Sequence, residues 1–380
     1  KTAAIKVINS GSYTMGAKVK IFEKNFAKKF KSKFAVMVNS GSSANLLMLS
    51  VLKNYPNILK KKNISKPNII VPSIGWSTSY YPINQNDFEI NFVDVNRETL
   101  NIDPNEVKKA INKNTVAIMA INLLGNPCEF KILNQIAKKN NLILIEDNCE
   151  SLGAKYNNQY CGTYGVMGTH SLFFSHHIQT MEGGVILTNN KIVYNYLLSL
   201  RAHGWARDLP KKNSLYKISG DKFKDLFTFI TPGYCLRPLE IEAAIGIEQL
   251  KKLDYFLKIR DQNSKLFLKF FKDKNWCSIQ KQYDNSISSW YGFNILLKGP
   301  LKNKRKFIIQ KLKKNGVEVR PTLTGHFLKN PVMKFLKYKK KRNFKNSKYI
   351  DKNGFFVGNY PKNLKHQIKY LYKLIEEEVH

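Results

Sequence analysis

Between residues 34 and 190, short apolar runs alternate with amphipathic stretches, the pattern of a mostly parallel sheet covered by helices. The predicted strands are FAVMV (34–38), NIIVP (68–72), FEINFVDV (88–95), VAIMAIN (116–122), LILIED (142–147), THSLFF (169–174) and GVILT (184–188). Continuously apolar runs of this kind predict strands buried on both faces. From Pro238 the period turns helical, and PLEIEAAIGIEQLKKLDYFLKIRDQNSKLFLKFFK reads as one long helical stretch with at most one break. It predicts a connector into a smaller α/β domain. That domain has strands at WYGFNILL (290–297) and VEVRP (317–321), a helix near NKRKFIIQKLKKNG and a final helix near LKHQIKYLYKLIEEEV. The expected division is 1–245 for an N-terminal segment and large domain, and 246–380 for the connecting helix and small domain. No internal repeat is visible.

At 380 residues the chain exceeds one ordinary core, which agrees with a large domain and an appendage. The longest apolar runs, NLILI and TVAIMAINLLG, are too short and interrupted to span a bilayer. No signal-peptide pattern is present, so the expectation is a cytoplasmic protein with no membrane partner. The first residue is lysine, so a few native residues are expected upstream. A formal charge of +36 alone would point to nucleic acid. The lysines, however, are scattered through the whole chain among abundant asparagine and isoleucine, which predicts compositional bias and no nucleic-acid face. The densest run, KYKKKRNFKNSK (337–348), reads as a solvated loop. Cysteines 128, 149, 161, 235 and 277 show no C-x-x-C spacing, which fits a reducing compartment and excludes a cysteine-rich metal site.

Four motifs fall at predicted strand ends, where open α/β sheets bind ligands. In NSGSSANLLM (39–48) a Gly-Ser-Ser turn opens a helix, with Ser42 and Ser43 as donors to an anion or as part of an ordinary cap. In VPSIGWSTSYYP (71–82), Trp76 is either a ligand platform or packing. LILIEDNCESLGA (142–154) ends an apolar strand on Asp147, a poorly solvated carboxylate that wants a cationic or N–H partner. SLFFSHHIQTMEGG (171–184) sets His176 and His177 between Ser171 and the Glu182-Gly183-Gly184 turn.

In this order and spacing the motifs resemble the DegT/DnrJ/EryC1/StrS sugar-nucleotide aminotransferases, fold-type I enzymes of aspartate aminotransferase-like architecture that use pyridoxal phosphate. The resemblance covers nearly the whole chain, from YTMGAKVKIFEKNFAKKF (13–30) through PGYCLRPLEIEAAIGIEQL (232–250) into the small domain. It implies that Ser42, Ser43 and Ser171 hold the cofactor phosphate, that Trp76 stacks on the ring, and that Asp147 pairs with the pyridinium nitrogen. Glu150 falls where relatives have glutamine near the ring hydroxyl. Cys235 falls where they have an asparagine reaching the partner subunit's cofactor phosphate, and a thiol is a weak donor. A homodimer with shared active sites is implied as well.

One departure decides the activity to expect. The family's Schiff-base lysine stands six residues before the Glu-Gly-Gly glutamate, and that position here is His176. Lysine is plentiful elsewhere, so composition does not explain its absence. A branch of the family, the deoxysugar 3-dehydratases, shares the substitution and is similar in GSSANLLM, EDNCESLGA, SLFFSHHIQTMEGG and RAHGWARDLP. Its iron–sulfur-dependent members need four cluster cysteines; only Cys277 follows Cys235, so no iron–sulfur cluster and no other metal is expected. Imidazole cannot hold the cofactor covalently, but it can shuttle protons near neutrality. The resemblance therefore implies removal of the C3 hydroxyl from a nucleotide-linked 4-keto-6-deoxyhexose, with GDP as the nucleotide. L-Glutamate would regenerate pyridoxamine phosphate and ammonia would be released, in deoxysugar synthesis of the colitose, O-antigen type.

Arg207, Arg237 and Arg320 are candidate contacts to glutamate or nucleotide anions, because guanidinium binds both groups in bidentate fashion. His326, in VRPTLTGHF, is a further substrate-side candidate, and His177 either orients His176 or packs. An aminotransferase using another lysine is the competing reading. No lysine lies between Cys161 and Asn190, and Lys191 lies beyond the strand. A non-catalytic cofactor-binding or nucleic-acid-binding protein would be expected to lack Asp147 and the phosphate serines. A dehydratase for another nucleotide sugar stays open.

Overall fold

The computed structural model describes residues 1–59, 64–217, 219–339 and 343–379; Lys340, Lys341 and Arg342 of the basic run lie outside them. Helices α1 (Thr2–Ser10) and α2 (Ala17–Lys29) lead into strand β1 (Phe34–Val38) and helix α3 (Gly41–Asn54). Then follow β2 (Asn68–Pro72), α4 (Ser77–Gln85), β3 (Glu89–Val93), α5 (Pro104–Ala110), β4 (Thr115–Ile121), α6 (Phe130–Lys139) and β5 (Ile143–Asp147). A small hairpin, β6 (Lys155–Tyr156) and β7 (Gln159–Tyr160), precedes β8 (Gly168–Ser171) and β9 (Gly184–Thr188). The seven-stranded sheet has the order β1-β9-β8-β5-β4-β2-β3. Strands β3, β2, β4, β5 and β8 are parallel, and β9 is antiparallel to both β8 and β1.

That single reversal positions the site. With β9 inserted between two co-directional strands, the carboxyl ends of β1, β5 and β8 open on one edge of the sheet. Register places both Val38 and Ser171 opposite Gly184. The start of α3 and the β8–β9 connection therefore meet. Strands β2, β4, β5 and β9 are buried throughout, as their apolar runs predict, and β8 is buried as well although it reads GTHS. The expected strand THSLFF stops earlier, at Ser171. Leu172 N donates to Gly183 O at 2.8 Å and Thr180 N to Leu172 O at 2.9 Å, which closes a loop and turns Phe174 outward.

After α7 (Lys191–Arg201) and the short α8 (Lys222–Leu226), the connector is α9 (Glu240–Leu250) and α10 (Leu253–Phe271), broken at Lys251 and Lys252. Next come β10 (Cys277–Ile279), β11 (Ser286–Ile287), β12 (Gly292–Leu297), α11 (Arg305–Lys314), β13 (Arg320–Pro321), α12 (Lys345–Asn353), β14 (Gly354–Gly358) and α13 (Lys365–Glu376). A four-stranded sheet of order β10-β12-β14-β13 packs Phe293 and Phe355 against Phe267 and Phe271 of α10. The expected strand VEVRP shrinks to Arg320 and Pro321 on the sheet edge, where a residue without an N–H is tolerated. Phe327, Phe344 and Ile350 leave this layer and join the core of the large sheet. Among the described residues no helix is long and apolar enough to cross a membrane.

The N-terminal helices are fastened by one buried carboxylate. Glu240 accepts from the N–H groups of Gly16 (2.7 Å), Lys18 (2.8 Å) and Val19 (3.0 Å), the unpaired donors at the start of α2. Glu240→Ala is expected to cost about 2 kcal/mol, with Glu240→Gln recovering part of it. A lowered urea midpoint for the alanine variant checks this; an unchanged midpoint refutes it.

Candidate active site

Asp147, the last residue of β5, is 4% exposed and is surrounded by neutral donors. Its Oδ2 accepts from Ser79 Oγ of α4 at 2.7 Å and from Asn45 Nδ2 of α3 at 2.8 Å, and its Oδ1 from Cys149 N at 3.0 Å. Thr169 Oγ1 donates to Asn45 Oδ1 at 2.7 Å, so the amide cannot flip away from the carboxylate. The N–H and hydroxyl alternative to an ion pair is the one realised. A carboxylate held this way offers its remaining lone pairs to a single cationic group in front of it.

Next to it, α3 presents its N-terminus. Ser40 is the cap, accepting from Ser43 N at 3.0 Å and donating to Ser43 Oγ at 3.0 Å. Ser42 is exposed and donates to Thr78 Oγ1 of α4 at 2.8 Å. A Cβ on Gly41 would lie 2.6 Å from Ser171 Cβ and 3.1 Å from Cys149 Sγ, and one on Gly184 would lie 2.2 Å from Ser40 O. Only glycines let the backbone close this cradle. Trp76, at the N-cap of α4, leaves its indole 56% exposed three residues before Ser79. Packing does not account for that ring. A helix N-terminus with hydroxyls, an open indole face and an anchored carboxylate match the phosphate, ring and ring nitrogen of pyridoxal phosphate. The residues fit the cofactor.

Glu150 is half-buried, its Oε2 accepting from Leu124 N at 2.9 Å. Burial, offset by that N–H and reinforced by the charge of Asp147, pushes its carboxyl up to about 8. At neutral pH it is then a protonated acid, with the shape and charge of a carboxamide. A carboxyl whose folded pKa is raised loses stability as pH climbs from the unfolded value of about 4.3 to about 8. Glu150→Gln should therefore stabilise the protein more at pH 8 than at pH 5; equal gains at both would refute the shift.

His176 lies in the β8–β9 connection. Its backbone N donates to Phe173 O at 2.9 Å, and its ring lies 5.2 Å from that of Tyr291. Its Nδ1 is buried without a partner. Burial, then the charge of Arg260, lowers its pKa to about 4, so the imidazole is neutral at pH 7. His177 is 1% exposed, with Nε2 at 3.1 Å from Ser289 O, and burial holds its pKa well below the ordinary histidine value. A cavity of about 810 Å³ opens beside His176, lined also by Ser175, Arg260, Tyr291, Glu318 and Arg320.

A model of the DegT/DnrJ/EryC1/StrS aminotransferase family matches residues 1–376. The chain belongs to the DegT/DnrJ/EryC1/StrS aminotransferase family. It is 47% identical over 373 residues to the GDP-4-keto-6-deoxy-D-mannose 3-dehydratase of Escherichia coli O55:H7, covering 97% of this chain and 95% of that protein. A solved E. coli GDP-4-keto-6-deoxy-D-mannose-3-dehydratase with bound hydrated PLP superposes with a TM-score of 0.93 at 47% identity, covering 98% of this chain and 95% of that one. A GDP-4-keto-6-deoxymannose-3-dehydratase with a trapped PLP–glutamate geminal diamine gives the same TM-score at 46% identity, over 98% and 96% of the two chains. The aminotransferase fold expected from the motifs is the one found.

Within this DegT/DnrJ/EryC1/StrS chain the expected anion contacts separate into groups. Arg320 lines the His176 cavity and pairs with Glu318 Oε1 at 2.8 Å. Arg207 and Arg237 stand 3.4 and 5.7 Å from the ring centroid of Trp205, and Arg237 Nη2 is 3.7 Å from the exposed Cys235 Sγ. Leu236 O accepts from Asn39 N at 3.2 Å, which sets this group beside the phosphate cradle and outside the His176 cavity. His326 is a correction to the expected substrate set. It is 4% exposed, its Nδ1 sits 3.0 Å from Ser347 Oγ and its ring lies against Phe344, so it fills core and does not face the cavity. Sequence reasoning missed Asn45, Ser79 and Thr169 around Asp147, although the first two lie inside motifs it had isolated. It also missed Arg260 and Tyr291, which no local pattern marks.

Proposed function

We propose that this chain removes the C3 hydroxyl of GDP-4-keto-6-deoxy-D-mannose, releasing the 4-keto-3,6-dideoxy sugar, with L-glutamate consumed and ammonia and 2-oxoglutarate formed. The atoms balance. Glutamate is the reductant, the sugar C3–O bond is replaced by C3–H, and oxygen equivalent to the lost hydroxyl is carried by 2-oxoglutarate. The observation that carries the reading is His176 at the position of the family's Schiff-base lysine, in a family member whose 47%-identical relative is a 3-dehydratase.

Pyridoxal phosphate, when bound, supplies an electron sink for charge developing at the carbon next to its ring. The rest is the work of side chains. Ser42, Ser43, Ser171 and the α3 N-terminus hold the phosphate, Trp76 covers the ring, Asp147 keeps the ring nitrogen protonated, and Glu150 faces the ring hydroxyl as a neutral acid. His176, neutral at pH 7, moves a proton at the cofactor's C4′ atom in each half-reaction. Because imidazole cannot bond covalently to the cofactor there, nothing on the protein favours retaining the amine on the sugar. Arg320, Arg207 and Arg237 meet the substrate anions. We place the enzyme in a reducing cytoplasm, where five free cysteines are at home, as a homodimer with neither membrane nor nucleic acid as partner.

Borohydride tests this directly. Holoprotein freed of excess cofactor should carry no reduced cofactor adduct in its intact mass, while His176→Lys should gain one. A stoichiometric adduct on the native chain would overturn the proposal.

A further inference from the structure

A lysine joined to its cofactor is positioned by that bond; a histidine in its place has to be positioned by the protein. The 175–177 segment is held at both ends by one short stretch of the small sheet's entry. The Ser175 side chain neighbours the Tyr291 hydroxyl, and His177 Nε2 lies 3.1 Å from Ser289 O. Since a carbonyl only accepts, Nε2 carries the proton and donates. The tautomer of His177 is thereby set.

The receiving stretch is itself rigid. Trp290 adopts a left-handed conformation (φ 49°), and Ser289 N and Tyr291 N donate to Gly125 O and Leu124 O at 3.0 and 3.1 Å. Buried Arg260 points Nη1 at the carbonyls of Trp290, Tyr291 and Asn359, and Asn359 Nδ2 donates to Trp290 O at 2.9 Å. Tyr291 then faces both imidazoles, with ring centroids 5.2 and 5.9 Å away. We infer that His177 is a positioning residue, whose Nε2–H bond to Ser289, together with the Tyr291–Ser175 contact, fixes the ring of His176 for proton transfer in place of the missing covalent tether. This rests on the proposed role of His176.

The test compares His177→Leu, which keeps bulk and removes the donor, with His177→Gln, whose amide can reach Ser289 O. Leucine should lower kcat about 10²-fold with KM for the sugar nucleotide within about twofold, as expected of a group displaced by about 1 Å, and glutamine should restore most of the rate. In cofactor-free protein, the ¹⁵N imidazole signals of His176 should report one tautomer in the native and glutamine chains and a mixture in the leucine chain. This readout does not depend on the reaction, so it separates failure of the clamp from failure of the proposed activity. If the leucine chain does not fold, Tyr291→Phe carries the same comparison with an expected drop in kcat of about tenfold at unchanged KM. Native kcat and native His176 signals in the leucine or phenylalanine chain, or equal impairment by leucine and glutamine, would overturn the inference.

Discussion

His176→Asn is expected to lower formation of the dideoxy sugar about 10³-fold while the protein still retains pyridoxal phosphate, because positioned acid–base groups contribute roughly 10²–10⁴. Asparagine fills similar space and cannot exchange a proton. The proposed cofactor contacts at Ser42, Ser171, Trp76 and Asp147 lie on other elements and are untouched. Both half-reactions should slow together, since the same ring serves each. The pH dependence follows from burial and from Arg260, which lower the His176 pKa to about 4. The base form then persists as pH falls through the ordinary histidine range, and the acid limb of kcat/KM should lie well below 6.5. Loss of activity centred on pH 6.5 would contradict this environment, and near-native turnover in the asparagine variant would remove His176 from the mechanism.

Asp147→Ala should be comparably damaging by a different route. Its carboxyl group closes β5, and three neutral donors converge on it. Alanine removes the counter-charge for a protonated ring nitrogen and strands Ser79, Asn45 and the Cys149 N–H. Loss of such preorganised electrostatic stabilisation costs roughly 10²–10³ in rate, and cofactor should also wash out on gel filtration. Asp147→Asn keeps the volume but turns a donor toward donors, so it should rescue cofactor retention only in part. Full cofactor retention with full activity in the alanine chain would show that the carboxylate is structural.

Much of this site is legible without coordinates because its parts sit at strand ends. Each of Ser42, Trp76, Asp147 and His176 follows an apolar run, and parallel strands gather such ends on one edge. What is not legible has a physical reason. The loop after Ser171 cannot be separated from the strand by hydrophobicity, since Leu172 to Phe174 continue the apolar run while backbone bonds turn it outward. The strand Gly354–Gly358 is only five residues long, with a glycine at each end, yet it is central to the small sheet. Arg260 and Tyr291 act from α10 and β12's entry, about 85 to 115 residues from the histidines they adjoin, and only tertiary contact brings them there. His326 fails for the opposite reason: its motif is visible, but the side chain turns into the core.

The central claim is that a histidine in a lysine's place turns amine transfer into loss of a hydroxyl. Incubation of the native chain with pyridoxal phosphate, L-glutamate and GDP-4-keto-6-deoxy-D-mannose, followed by product mass and ammonia, tests it most directly. The account predicts a GDP-sugar one oxygen lighter than the substrate, with one ammonia per turnover; a GDP-sugar carrying an amine, with no ammonia released, would contradict it.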